Sequence, residues 1–308
     1  MDDLELGSDD ALVAIAPGLG GAITGFAWRG TPLLRPAPAG AKAPAGVRLA
    51  ACYPLVPYSN RIRESRLTFE RHTYALARNF GAHPHAIHGV GWQRAWEVVS
   101  CDAQRAQLAL DHDPRGDAAA AWPWAFRATQ TFSLARLRDT DARTSPVLSV
   151  TLTIVNTGAT PFPFGLGFHP FFVADEATKL DFGAAGVWEN DATQLPMRHI
   201  AVPEAWRFDR PRARGDLRLD NVFTGWDGHA TLTRESPGLR VTMTADRACR
   251  NLVVYAPAPA GFVALEPVTH ETDAFNRHAN GARDTGFRIL RPGRAFSCTM
   301  RVAASALD

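Results

Sequence analysis

Two polar residues of this sequence interrupt apolar runs, and their types suit proton transfer. His169 lies inside the apolar run 162–172, where an imidazole without a partner would cost stability. Glu266 ends the apolar stretch 262–265, so partial burial should raise the pKa of its carboxyl toward a value useful for a general base. A histidine and a carboxylate can hold opposite protonation states near neutral pH. We therefore predict that Glu266 suits a general base and that His169 is its counterpart at one site.

Two other segments combine a polar side chain with residues that control the backbone. Arg61 follows a stretch that contains two prolines, which stiffen its approach, and its guanidinium could bind ligand oxygens. His88 is followed by Gly89 and Gly91, which permit close approach of another backbone, and then by an aromatic ring. We expect both polar side chains to face a ligand.

The histidines at 83, 85 and 88 raise the alternative of a metal site, because imidazoles two residues apart on a strand point the same way. A cupin would then be the rival fold. Pro84 would disturb such a strand, no Glu follows closely, and a fourth ligand is not evident. We therefore predict that no metal is bound, and that His83 and His85 are exposed loop histidines.

The elements that must position these residues have a period of two, with apolar side chains facing one way and hydroxyls the other. The 22 prolines and several Gly-containing turns interrupt any long helical pattern. We predict an all-β fold, a large sandwich of antiparallel strands with few short helices, in a single domain over residues 1–308. The alternating runs are 148–154, 241–245, 296–302 and, less cleanly, 126–134.

Composition limits the partners. The 33 Lys and Arg nearly balance the 31 Asp and Glu, so no net field attracts nucleic acid or anionic lipid. No apolar stretch has the roughly 18–20 residues that cross a bilayer. The four cysteines form no C-x-x-C pair, and the first residues do not resemble a signal peptide. We expect a soluble cytoplasmic protein with reduced thiols, a small-molecule ligand, no nucleic-acid partner and no membrane.

Several familiar motifs are absent or incomplete. The glycines at 18, 20 and 21 form G-x-G-G, but no helix with a later acidic residue follows, which argues against dinucleotide binding. Neither a P-loop nor a G-x-S-x-G nucleophile elbow occurs. The segments 36–46 and 136–144, rich in Ala and Pro or in Arg and Asp, are expected to be exposed loops.

Six short motifs between residues 18 and 302 resemble, in the same order, those of the aldose 1-epimerase family. The resemblance implies a galactose mutarotase-like fold, a large two-sheet β-sandwich that holds a sugar in an open cleft. The form HPFF is similar to a bacterial subgroup, which leaves the preferred sugar open. The motifs are PYSNRI (57–62), a downstream Asn79, IHGVGW (87–92), GFHPFF (167–172), LDNVF (219–223) and LEPVT (265–269).

The same resemblance implies the role of each motif residue. His169 would protonate the ring oxygen of an aldose, and Glu266 would remove the proton of the anomeric hydroxyl. Such chemistry needs no cofactor, so we expect none. The residues implied as sugar ligands are Asn60, Arg61, His88 and Asp220.

Two alternatives to an epimerase of free aldoses stay open. A hexose 6-phosphate 1-epimerase would need a basic pocket, for which Arg63, Arg66 and Arg250 are candidates. A carbohydrate-binding protein without catalysis could share the fold, since fold does not imply function. Either a monomer or a homodimer is compatible with the sequence. Four aromatic residues near the motifs are expected to belong to the core rather than to stack on sugar: Trp92, Trp96, Phe171 and Phe172.

Overall fold

A computed structural model describes residues 3–138, 144–258 and 260–307. Helix is confined in this part of the chain to short segments, and none of its helices is long and apolar enough to cross a membrane. The loop predicted over 136–144 overlaps two strand ends, and its middle, 139–143, lies outside the described residues. The helices are α1 (Asp117–Ala121), α2 (Ala274–Ala279) and the 3₁₀ turns Ala45–Leu49, Arg63–Ser65, Gly91–Gln93 and Glu204–Trp206.

The larger of two antiparallel sheets has twelve strands, numbered here along the chain. Their hydrogen-bonded order is β1-β2-β3-β4-β16-β25-β24-β21-β18-β19, with β15 beside β25 and β5 beside β15. The strands are β1 (Leu4–Gly7), β2 (Ala11–Ala16), β3 (Ala22–Trp28), β4 (Thr31–Leu34), β5 (Pro54–Leu55), β15 (Gly167–Phe168), β16 (Phe171–Val173), β18 (Gly186–Asn190), β19 (Pro196–Ile200), β21 (Leu219–Thr224), β24 (Asn251–Ala256) and β25 (Phe262–Val268).

The second sheet has nine strands in the order β10-β11-β12-β13-β27-β23-β22-β17-β20. Three two-stranded ribbons account for the other described strands. The nine strands are β10 (Glu97–Cys101), β11 (Arg105–His112), β12 (Phe126–Arg138), β13 (Thr144–Asn156), β17 (Lys179–Phe182), β20 (Arg212–Ala213), β22 (His229–Arg234), β23 (Leu239–Ala245) and β27 (Ala295–Ala306). The ribbons pair β6 (Arg61–Ile62) with β9 (Ala86–Ile87), β7 (Arg66–Phe69) with β8 (His72–Ala75), and β14 (Phe162–Phe164) with β26 (Arg288–Leu290).

Alternation along the strands builds the core between the two sheets. In β13, Leu148, Val150, Leu152 and Ile154 are at most 1% exposed and join one large apolar cluster. Burying each such side chain stabilises the fold by roughly 1.5–3 kcal/mol. The hydroxyls between them point the other way, and Thr151 hydrogen-bonds across the sheet at 2.9 Å. The alternating strands predicted from the sequence, and the antiparallel two-sheet sandwich, are confirmed.

The opposite face of the twelve-stranded sheet carries a second, smaller apolar cluster. In β25, Leu265 points into the core between the sheets, whereas Ala264 and Val268 belong to the second cluster. Because side chains alternate along a strand, Glu266 lies on the same face as Ala264 and Val268. This face, turned away from the nine-stranded sheet, is where the polar residues singled out above come together.

Candidate active site

A cavity of ≈ 610 Å³ opens on this face of the sheet. All six residues that the sequence analysis proposed as proton carriers or ligands contribute to its wall, although they come from five separate parts of the chain. They are Asn60, Arg61, His88, His169, Asp220 and Glu266.

Strand register brings His169 opposite Glu266. Strand β15 pairs through Gly167 with Val268, and β16 pairs through Phe171 with Ala264. His169 is halfway between Gly167 and Phe171, and Glu266 is halfway between their partners on β25. The ring of His169 therefore faces Glu266. The distance from His169 Nε2 to Glu266 Oε1 is 3.2 Å, and both residues are buried.

Burial controls the electrostatics of this pair. It raises the pKa of the Glu266 carboxyl well above its ordinary value, and the nearby Asp220 raises it further, while Arg61 lowers it. Burial, followed by the positive charge of Arg35, lowers the pKa of His169 to about 3. Both shifts disfavour the charged form. Near neutral pH the pair is therefore an uncharged carboxyl and an uncharged imidazole, which share one transferable proton. Glu266 Oε2 and His169 Nδ1 are buried and lack a hydrogen-bond partner among the described residues.

Arg61 links two other polar side chains at the cavity wall. Its Nη2 lies 3.1 Å from Asp220 Oδ2, and its Nη1 donates to Asn60 Oδ1 at 3.2 Å. Asp220 is on β21, two strands from β25, and Arg61 is on the short ribbon formed by β6 and β9. The Arg61 Nε is buried and has no acceptor among the described residues.

His88 has its ring edge toward His169, with the ring centroids 5.4 Å apart. Its Nδ1 accepts the backbone N–H of Asn60 at 3.0 Å, so the neutral ring carries its proton on Nε2. Burial, then His169 and Arg61, lowers the pKa of His88 well below its ordinary value. The neutral ring therefore offers one N–H donor to a ligand.

The glycine after His88 allows the close backbone approach expected from the sequence. Gly89 has φ +67°, and a Cβ there would lie 2.3 Å from the Val56 carbonyl oxygen. That oxygen accepts the N–H groups of Val90 and Gly91, each at 3.0 Å. The contact fixes the 87–92 segment against the segment that leads to Arg61.

Comparisons with known proteins identify the family of this chain. The family model described as aldose 1-epimerase matches residues 2–303. The chain belongs to the aldose 1-epimerase family. It is 31% identical to the uncharacterized Escherichia coli K12 protein YphB over 291 residues. The matched region covers 91% of each chain.

Two solved structures share this architecture. The structure of an Escherichia coli K12 protein, provisionally named an aldose 1-epimerase, superposes with a TM-score of 0.85 at 27% identity. The match covers 99% of each chain. A galactose mutarotase-like protein from Clostridium acetobutylicum has a TM-score of 0.84 at 18% identity, covering 98% of this chain and 95% of its own. The galactose mutarotase-like fold expected from the motifs is therefore confirmed.

Imidazole acceptors hold the backbone of the segment that carries Asn60 and Arg61 in this member of the aldose 1-epimerase family. His270 Nε2 accepts the N–H of Ser59 at 3.1 Å, and His85 Nδ1 accepts the N–H of Glu64 at 2.9 Å. Asn60 and Glu64 have positive φ angles of 56° and 51°, which non-glycine residues seldom adopt. Side-chain acceptors thus stabilise a backbone path that the sequence alone would disfavour.

The same hydrogen bonds revise the interpretation of the histidine cluster. His85 is buried rather than exposed, because its ring is needed as an acceptor beneath the segment 59–64, and His83 is half-buried. The prediction that both are exposed loop histidines is therefore wrong. Among the described residues, no three His, Cys, Asp or Glu side chains are grouped as metal ligands.

The sequence analysis missed Arg35, which reaches the cavity from the loop after β4. Its guanidinium carbon lies 3.9 Å from the ring centroid of Phe171 and 4.5 Å from that of Phe262. Phe171 in turn stacks on His169, with centroids 4.5 Å apart. Phe171 therefore lines the cavity as well as packing, and its position two residues from His169 could have indicated this. Nothing local in the sequence marks Arg35.

The arginines suggested for a phosphate pocket lie elsewhere. Arg63, Arg66 and Arg250 are exposed and do not line the cavity, and Arg63 is 3.6 Å from Asp273. That suggestion is wrong because these side chains face solvent, Arg63 from a 3₁₀ turn, Arg66 from β7 and Arg250 from the loop before β24. The arginines that do line the cavity are Arg35, Arg48 and Arg61.

We predict that His270 stabilises the fold through its accepting nitrogen. His270→Leu would leave the buried Ser59 N–H without an acceptor and should lower the free energy of unfolding by about 1–3 kcal/mol. His270→Gln retains an amide oxygen that can accept, so it should lose clearly less. Urea denaturation of the two variants measures the difference. Equal losses would show that the ring acts only by packing.

Proposed function

We propose that this protein is an aldose 1-epimerase, a mutarotase that interconverts the α and β anomers of a free aldose. The 3.2 Å approach of His169 Nε2 to Glu266 Oε1 at the cavity wall is the observation that supports it most. The ring oxygen and the anomeric hydroxyl of an aldose are bonded to one carbon. Two proton carriers so close together can therefore serve both oxygens.

Ring opening requires one proton to be taken and one to be given. Glu266, as carboxylate, accepts the proton of the anomeric hydroxyl while the bond from C1 to the ring oxygen breaks. His169, as imidazolium, gives its proton to that ring oxygen. Transfer of the shared proton from Glu266 to His169 prepares this state, and ring opening returns the pair to the uncharged form that burial favours.

The product of this step is an open-chain aldehyde. Rotation about the bond between C1 and C2 presents the other face of the carbonyl. Ring closure then runs with the proton transfers reversed, so that Glu266 donates and His169 accepts. Protons and electrons balance without a redox partner or a covalent intermediate.

The remaining polar residues of the cavity would bind sugar hydroxyls. Asp220 can accept from a hydroxyl, while the guanidinium of Arg61 and the Nε2–H of His88 can donate. Asn60 orients the Arg61 guanidinium through its side-chain oxygen. Fixed donors and acceptors of this kind position C1 next to the proton carriers.

Polarimetry of freshly dissolved pure anomers tests the proposal. We expect the protein to accelerate mutarotation of free glucose or galactose above the spontaneous rate, with a higher kcat/KM than for the 6-phosphates. Arg61 is paired with Asp220, and Nη2 of Arg35 already donates to two backbone carbonyls, which disfavours tight binding of a dianion. A higher kcat/KM for glucose 6-phosphate would favour the phosphorylated substrate. Sugar binding without acceleration would favour a non-catalytic protein.

We also predict that the activity does not depend on a divalent metal. The proton transfers use His169 and Glu266 alone, and the accepting nitrogens of His85 and His88 are already bound to backbone N–H groups. Activity should therefore survive dialysis against EDTA. Loss of activity that a stoichiometric divalent ion restores would contradict the mechanism.

A further inference from the structure

Tyr53 lies next to His169 in the cross-strand row that also contains Glu266. Strand β15 is hydrogen-bonded to β25 on one side and to β5 on the other. Pro54 of β5 pairs with Phe168, so antiparallel register places the residue before Pro54 opposite His169. The N–H of His169 donates to the carbonyl oxygen of Tyr53 at 3.0 Å. Along this row His169 therefore has Glu266 on one side and Tyr53 on the other.

Packing against other rings holds the ring of Tyr53 in place. Its centroid is 4.5 Å from that of His169, 6.0 Å from that of Phe171 and 5.6 Å from that of Trp92, on which it stacks. Only 4% of the surface of Tyr53 is exposed. Because close-packed neighbours enclose the ring, they also set the position of its hydroxyl.

The hydroxyl of Tyr53 forms no hydrogen bond with any of the described residues, yet it is not sealed off from solvent. Buried tyrosine hydroxyls usually have a partner. Tyr53 lines the cavity of the candidate active site, so a ligand there can supply one. Burial, followed by the nearby Glu266, raises the pKa of the phenol well above its ordinary value, so the hydroxyl keeps its proton near neutral pH. The cavity thus contains a fixed O–H donor.

The order of residues in the row indicates which sugar oxygen this donor would meet. In the proposed mechanism Glu266 serves the anomeric hydroxyl and His169 serves the ring oxygen. Tyr53 lies beyond His169, on the side away from Glu266. In a pyranose the ring oxygen joins C1 to C5, and the substituent of C5 is the group that follows in this direction. In an aldohexose that substituent ends in the C6 hydroxyl.

We infer that the hydroxyl of Tyr53 donates a hydrogen bond to the C6 hydroxyl of the substrate. This contact makes Tyr53 a specificity-determining residue, which favours aldohexoses over 6-deoxyhexoses and aldopentoses. A sugar without the C6 hydroxyl leaves the phenol without its partner. The inference rests on the proposed mutarotase function. No proton is transferred at Tyr53, so the chemistry at His169 and Glu266 is unchanged.

The test removes the hydroxyl from the protein and from the sugar in turn. Tyr53→Phe keeps the ring and deletes only the donor. The sugars are glucose or galactose, whichever is converted faster, with its 6-deoxy and 2-deoxy forms. For the native protein, kcat/KM for the parent sugar should exceed that for its 6-deoxy form by about tenfold, the equivalent of about 1.4 kcal/mol. Tyr53→Phe should lower the values for the parent and 2-deoxy sugars by about tenfold, and change that for the 6-deoxy sugar by less than about twofold.

Tyr74→Phe is the matched control, because Tyr74 is half-buried and does not line the cavity, and it should change the value for no sugar. Urea denaturation should give Tyr53→Phe a free energy of unfolding close to the native one, since the deleted hydroxyl has no partner among the described residues. An equal loss for all three sugars would show that Tyr53 acts only through packing. That result, or no loss for any sugar, would overturn the inference and leave the proposed function intact.

Failure of the proposed function gives a different result. If no sugar is converted faster than spontaneously, calorimetric titration of the native protein and Tyr53→Phe with the same sugars decides. Weaker binding of the parent sugar to Tyr53→Phe, with unchanged binding of the 6-deoxy sugar, would support the inference, and any other result, including no binding, would overturn it. If Tyr53→Phe does not fold, the native protein decides, because equal kcat/KM values for the parent and 6-deoxy sugars would overturn the inference.

Discussion

Replacement of Glu266 by Gln is expected to lower kcat by at least about two orders of magnitude, because general acid and base groups typically contribute 10²–10⁴-fold. The amide keeps the shape of the side chain but cannot accept the anomeric proton. His169→Asn should have a similar effect, since it removes the donor to the ring oxygen. Sugar should still bind to both variants, which calorimetry or tryptophan fluorescence can measure.

The double variant should lose little more than either single variant. Donation and abstraction serve one ring-opening step, so the loss of either partner already disables the concerted route. Rates must be corrected for spontaneous and buffer-catalysed mutarotation. Glu97→Gln and His229→Asn, which change exposed residues of the same types, provide matched controls and should retain full activity.

Folding is the main concern for these variants, because both native residues are buried and in contact. Circular dichroism and urea denaturation of each variant identify a loss that is due to unfolding. If the folded Glu266→Gln and His169→Asn proteins each keep more than about a tenth of the native kcat, the proposed roles are wrong, since general acid and base effects are larger.

Arg61→Gln is expected to lower kcat/KM by about 10- to 100-fold, the equivalent of about 1.5–3 kcal/mol for a hydrogen bond to a charged group. It should also move the pH profile. The positive charge of Arg61 lowers the pKa of both His169 and Glu266. Its removal should raise both values, so the active range shifts to higher pH.

Asp220→Asn is the matched variant, for which we expect the pH profile to shift in the opposite direction. The carboxylate of Asp220 raises the pKa of Glu266, so its neutralisation should lower that pKa. The pH profile of kcat/KM should therefore shift to lower pH, although kcat/KM itself also falls. Shifts in the same direction for Arg61→Gln and Asp220→Asn would show that their charges do not act on the proton-carrying pair.

Local patterns determined which residues form strands and which were worth testing as a site. In β13, the alternation of apolar and hydroxyl side chains is sufficient to predict the strand, because the pleat of a single strand sends successive side chains to opposite faces. The motifs around His169 and Glu266 identified the family, and they singled out these residues because an ionisable group in an apolar run needs a reason to be there. Inferences of this kind depend on neighbours along the chain.

Other features depended on contacts between distant segments. The role of His85 as a buried acceptor depends on the N–H of Glu64, with which it forms no regular strand pairing. Arg35 reaches the cavity because its guanidinium packs on Phe171 and Phe262, far along the chain. No spacing or composition near either residue indicates these partners.

The sequence by itself therefore determined the all-β class, the family and the residue types available for chemistry, since each is encoded in short stretches of chain. Only the tertiary structure decided which of these residues share a cavity, which arginines face it, and how burial shifts the pKa values of His169 and Glu266. The physical reason is that strand order and register join segments far apart in sequence, such as Val147 and Ala303, which pair across 156 residues. Desolvation, in turn, depends on everything packed around a group rather than on its neighbours in sequence.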